Sequence, residues 1–192
     1  MLILKNKFFL LVLALGTLLL VGFTVTGQQH GQAGHHHGRG GHDEVNMPGL
    51  QGVDTTVAEV DDMKKMFREH KGIRRAVVNL PNGIETITES DDAALRAAVV
   101  AHVVGMIGRV QAGRDPKVMI QSPTLDTVFD GRDRMETTII MTATGVKVTQ
   151  TSTDPVVVKA LQTHAGEVSE MAKRGMAAVH ERMAAMPDRH RH

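Results

Sequence analysis

The stretch Ile73-Arg74-Arg75-Ala76-Val77-Val78-Asn79-Leu80-Pro81-Asn82-Gly83-Ile84-Glu85-Thr86-Ile87-Thr88-Glu89 decides the fold of this chain. Two β-rich runs flank Pro81-Asn82-Gly83, and an Asn-Gly pair between such runs is a strong hairpin signal. The spacing predicts strands over Ile73 to Leu80 and Ile84 to Glu89. The pattern then returns, without a gap, 62 residues downstream. Phe67 and Phe129, Gly83 and Gly145, Ser90 and Ser152, Asp92 and Asp154, Ala98 and Ala160, and His102 and His164 all stand at that offset. Apolar positions agree as well: Ile73 with Met135, Val77 with Ile139, Ile84 with Val146, Val99 with Leu161. An offset held across a turn and two periodicities reads as an internal repeat.

Outward from the hairpin, Val57, Val60, Met63, Met66 and Phe67 recur at helical spacing, with Gly72 marking the end. Asp92, with Asp91 beside it, is the expected N-cap of a helix running to about Ala112 and closing at Gly113. In the second copy, Ser122-Pro123 opens a short helix through Phe129. Met135 to Met141 and Val146 to Thr151 form the second hairpin around Thr144-Gly145. Asp154-Pro155 caps a last helix expected to continue to about Met186. The fold class is therefore α+β: an internally duplicated helix–β-hairpin–helix unit, its four-stranded antiparallel sheet covered by helices on one face. Met135, Ile139 and Met141 alternate with Glu136 and Thr138, as one buried face requires. The opposite face still carries Val78, Ile87 and Ile140, more apolar surface than solvent calls for, and a homodimer contact is the expectation there.

Residues 1–27 read as an export signal rather than as part of the fold. Lys5 and Lys7 precede an apolar run, Phe8 to Val25, and Val25-Thr26-Gly27 offers a small-residue cleavage site. The alternative is an uncleaved N-terminal membrane anchor, because the run is near the shortest length that spans a bilayer. No cysteine follows, which excludes a lipoprotein anchor. Either reading puts the remainder outside the cytoplasm, periplasmic or membrane-anchored. Residues 28–52 are a Gly/His-rich linker with too few apolar side chains to fold, and residues 53–192 form one duplicated domain, with repeats at about 53–113 and 119–186.

Composition narrows the function classes. The chain has no cysteine, so disulfides, thiolate metal sites and covalently attached haem are excluded. With 22 basic and 21 acidic residues, no Trp, no Tyr and only 5 Phe, it offers neither the basic face nor the stacking platforms of a nucleic-acid binder. Methionine stands out at 12 residues, and Met is both an adaptable core filler and a soft metal ligand.

The candidate site follows from the repeat. Leu95, Val99, His102, Val103, Met106 and Val110 share one helix face, and Val157, Leu161, His164, Val168 and Met171 share the corresponding one. Each copy sets a histidine amid an apolar stripe, where an unsatisfied imidazole costs about 1–3 kcal/mol. Core histidines bonded to carbonyls or to threonines such as Thr86 are one reading; two ligands facing each other across a pseudo-twofold axis are the other. As metal ligands the candidates are His102, His164, Met106, Met171 and His180, with His35, His36, His37 and His42 of the linker, beside His30, as weaker ones. Copper fits His with Met; non-covalent haem would need His102 and His164 on opposite sides of the ring. Met176, Val179, Met183 and Met186 read as an ordinary packing face, and His70, whose counterpart is Arg132, gains no support from the repeat. Ser90 and Ser152 read as helix-start residues, and the acidic run Glu85 to Asp92 as a solvated edge. No phosphate loop, HExxH helix or nucleophile elbow occurs, so nothing nominates a catalytic residue.

The runs Ile73-Arg74-Arg75, Asn82 to Asp91, Thr144-Gly145-Val146 and Thr151-Ser152-Thr153-Asp154-Pro155 resemble a set of uncharacterised exported bacterial proteins, over about Phe67 to His180. The resemblance implies a bacterial exported protein and no particular activity. Two function classes stay open: a non-enzymatic binding protein for copper or haem through the paired histidines, and a structural module that dimerises through its sheet and has core histidines.

Overall fold

The computed structural model describes residues 46–185. Residues 1–27, expected to be an export signal, and His30, His35, His36, His37, His42 and Met186 lie outside the described residues. The elements are α1 (Val57–Arg68), β1 (Arg74–Leu80), β2 (Gly83–Glu89), α2 (Ala93–Gln111), α3 (Thr124–Asp130), β3 (Met135–Met141), β4 (Gly145–Ser152), α4 (Pro155–Arg174) and α5 (Met176–Ala185). Single 3-10 turns occupy Pro48–Leu50, His70–Gly72 and Arg132–Arg134.

The four strands make one antiparallel sheet in the order β1-β2-β4-β3. At its centre Thr86 pairs with Val148, residues that are themselves 62 apart. Gly83 lies opposite Thr151, and Gly145 opposite Glu89. A Cβ at Gly83 would run into the carbonyl oxygen of Gln150, and one at Gly145 into that of Thr88. The central strands close because both positions lack a side chain.

The helix starts are set locally. Asp92 Oδ1 accepts from the Leu95 amide at 2.7 Å, and Asp154 Oδ1 from the Val156 amide at 2.8 Å, with Pro155 in the first turn. Each cap satisfies an amide that helix geometry leaves open. The hydroxyls of Ser90 and Ser152 accept from the amides of Asp92 and Asp154, so both serines serve the strand-to-helix turn. Thr56 and Glu59 form a reciprocal capping box on α1.

Two sub-cores fill the space between sheet and helices, and each is built across the halves. Leu95 and Val99 of α2 pack with Val146 and Val148 of β4 and with Ile139 of β3. Val157 and Leu161 of α4 pack with Ile84 of β2 and Val77 of β1. Each long helix thus covers the other half's hairpin. The sheet-facing cores are thus shared between the halves, while a third cluster, around Met47, Leu50 and Val60, sits on α1. α2 is long and apolar enough by composition to cross a membrane; in this fold Leu95 and Val99 of its stripe pack on the sheet.

The expectations need correction in three places. The packed part begins ahead of Val53: Met47 and Leu50, assigned to the linker, are buried against Val60. Two apolar side chains suffice to dock this short turn on α1, a signal that a Gly-rich composition hides. The last helix is not continuous, because it breaks after Arg174 at Gly175, which has φ +60°. A Cβ there would stand 2.7 Å from the His70 ring, and His70 Nδ1 lies 3.1 Å from the Ala172 carbonyl oxygen. The apolar periodicity of Met176, Val179 and Met183 runs on past the glycine and masks the break; Val179 is fully buried and Met176 packs on the core around Leu50. Third, Val57 is an exposed residue of α1 rather than part of its buried stripe.

On the outer sheet face Val78 and Ile140 are more than half exposed. They sit on the two edge strands, about 14 Å apart at ordinary strand spacing, and the Glu85–Lys147 ion pair at 2.9 Å lies on the strands between them. The acidic run is used up locally: Glu85 pairs with Lys147, Glu89 accepts from Thr144, Asp91 pairs with Arg74 and Asp92 caps α2.

Candidate functional site

The deepest packing in each long helix precedes its histidine: Leu95 and Val99, Val157 and Leu161 are at most 1% exposed. Beyond them the same stripes line a cavity of about 280 Å³. Its floor is the inner sheet face, with Arg75, Thr86, Thr88 and Gln150; α1 adds Met63, Met66 and Phe67. His102 and Met106 of α2 and His164 and Met171 of α4 all reach it. Four of the five folded metal candidates therefore meet in one cavity, where the two sub-cores join. His180, on α5, is not among the residues lining it, and His70 serves the junction of α4 and α5 instead.

The two histidines sit in different surroundings. Burial pushes His102 down to about 4, and His164 nearby pushes the same way, against the weaker pull of Glu59. His102 is thus a neutral imidazole at physiological pH, with a lone pair to give. His164 Nδ1 is buried without a hydrogen bond and stands 3.6 Å from Glu167 Oε2, itself unpartnered. Glu167 Oε1 accepts from Ser122 at 2.6 Å and from Thr124 at 3.3 Å. Burial alone would raise the Glu167 carboxyl; the neighbouring His164, the Ser122 hydroxyl and the Arg182 charge together hold it below its usual value. Metal-bound imidazoles commonly offer their second nitrogen to a carboxylate, and Glu167 is placed for that role on His164. As a nucleophilic apparatus the cluster is wired the wrong way, since Ser122 donates to the carboxylate and not to an imidazole.

Sequence reasoning missed the charges of this site. Arg109, 3% exposed, donates from Nε to Glu59 Oε1 at 2.6 Å, from Nη2 to Glu59 Oε2 at 2.9 Å and from Nη1 to Asp54 Oδ1 at 2.5 Å. This fork ties α2 to the capping box of α1. The Arg109 hydrogen bonds lower the Glu59 carboxyl to about 2, against burial and with help from the Thr56 amide and hydroxyl. Arg75 lies on the floor, where Nη1 donates to Thr88 at 2.6 Å and Nε is buried without a partner. The signals were present in the chain: Arg109 interrupts an apolar helix, Arg75 shares strand parity with Val77, and Glu167 follows His164 by three residues on one helix face. Among the described residues, no three His, Asp or Glu side chains gather as a metal cage. A metal here would need methionine in its donor set.

Comparison with family models, with curated proteins and with solved structures finds no match for this chain, and its function is read from these residues alone.

Proposed function

We propose that this is an exported, non-enzymatic binding protein, built from two copies of one unit, that takes copper between its two long helices. His102, His164, Met106 and Met171 would supply two imidazole and two thioether donors, a soft set suited to copper. The observation that carries the reading is the arrival of all four side chains at one cavity. A neutral His102 supports it, because metal binding needs imidazole without its proton. Haem is the poorer fit, since about 280 Å³ is at the small end of ligand sites and leaves little room for a macrocycle. Dimerisation through the outer sheet face draws less support, as the Glu85–Lys147 pair lies between Val78 and Ile140.

The test is copper titration of the full chain with His30, His35, His36, His37 and His42 replaced by Asn. One equivalent should still bind tightly and raise the melting temperature. His102→Ala and His164→Ala should each weaken binding at least tenfold. Copper uptake that vanishes with the leader histidines, or that ignores both alanine variants, overturns the proposal.

A further inference from the structure

Three arginines reach the cavity: Arg182, whose Nε is also buried without a partner, donates to the Ile120 carbonyl and lends its charge to Glu167, and Arg109 is saturated by Glu59 and Asp54. Arg75 is not. Its Nη1 donates to the Thr88 hydroxyl, and among the described residues no carboxylate lies within ion-pair distance of it. Nε is buried and makes no hydrogen bond. A half-buried guanidinium without a counter-charge is costly, and the fold contains an alternative, because Arg75 occupies a strand position that an apolar residue would fill. Burial depresses Arg75 to about 10, which still leaves it charged at neutral pH. The cavity's other acids do not answer it. Glu59 is committed to Arg109 and Thr56, and Asp62, whose carboxyl burial and Asp61 shift upward, makes no ion pair with Arg75. The same cavity carries an apolar lining that includes Met66, Phe67, Ile73 and Val103.

We infer that the cavity binds a small organic acid, its carboxylate on the Arg75 fork and its hydrocarbon body along the Met66, Phe67 and Val103 wall. A planar guanidinium matches a carboxylate bidentately, and the cavity volume suits a short or medium chain rather than a long one. The inference goes beyond copper binding and does not depend on it.

The experiment is calorimetric titration of the full chain with octanoate and with 1-octanol, in the presence of EDTA. Octanoate should bind at least tenfold more tightly than octanol. Arg75→Met should abolish that preference while octanol binding persists, and Arg75→Lys should recover only part of it. Equal affinity for acid and alcohol, or no binding of either, overturns the inference on the wild-type chain alone, whatever the variants do. An undiminished preference in Arg75→Met overturns it too. His102→Ala, which should lose copper, should keep octanoate, so that failure of the metal reading and failure of this one are told apart.

Discussion

The two halves of the domain agree in their scaffold and disagree in their charge. At positions 62 apart both have the histidine, His102 and His164, the capping aspartate, the buried serine and the glycine that admits its neighbour strand. At three other pairs the first half is charged and the second is not: Glu59 against Gln121, Arg75 against Thr137, Arg109 against Met171. The shared residues are those that the backbone needs, together with the paired imidazoles. Of the differing ones, Glu59, Arg75 and Arg109 line the cavity from the first half, and Gln121 and Met171 from the second, where Arg182 also reaches it.

Exchanging first-half charges for neutral residues tests this division, and the effects should descend in order. Arg109→Met, the residue of its counterpart, should cost about 3 kcal/mol in urea unfolding, the lower end for removing one member of a buried ion pair, because Glu59 and Asp54 keep some water. A loss under about 1 kcal/mol would show the fork to be ornamental to stability. Glu59→Gln, again the counterpart residue, should cost about 1.5 kcal/mol, as a charge-assisted bond becomes a neutral one while Asp54 remains. The same residue predicts an acid limb. Its carboxyl is held near 2 in the folded state, so its contribution is whole above the usual carboxylate range and drains away as pH falls from about 4.5 toward 2. Glu59→Gln should flatten that part of the stability–pH profile; an unchanged slope would assign acid sensitivity elsewhere. Smallest of all, Arg75→Met should leave stability within about 1 kcal/mol of wild type, or raise it, since exchanging an unpaired buried charge for an apolar side chain is often neutral or favourable. A large loss there would make Arg75 a structural arginine like Arg109 and erase the contrast.

Much of the frame was legible without coordinates. Asn82-Gly83 and Thr144-Gly145 announce the hairpins, and Asp92 and Asp154 announce the long helices, because turns and caps depend on backbone conformations that few residues favour. The histidine pair was legible for another reason, since the offset singles it out. The charges were not. Glu59 on α1 and Arg109 on α2 are 50 residues apart in the chain, and nothing local says that they meet. Nor does anything local to Gly175 say that the His70 ring, 105 residues earlier, stands beside it.

The sequence by itself therefore determined the order of helices and strands, the pairing within each hairpin and the matched histidines, though not the break at Gly175, since these follow from residues close together in the chain or from the 62-residue offset. Only the tertiary structure decided that each long helix covers the other half's strands, that His102, Met106, His164 and Met171 share one cavity, and that Arg109 is neutralised while Arg75 is not. Those are outcomes of packing between distant segments, where burial and the identity of the nearest counter-charge set the energy of every polar group.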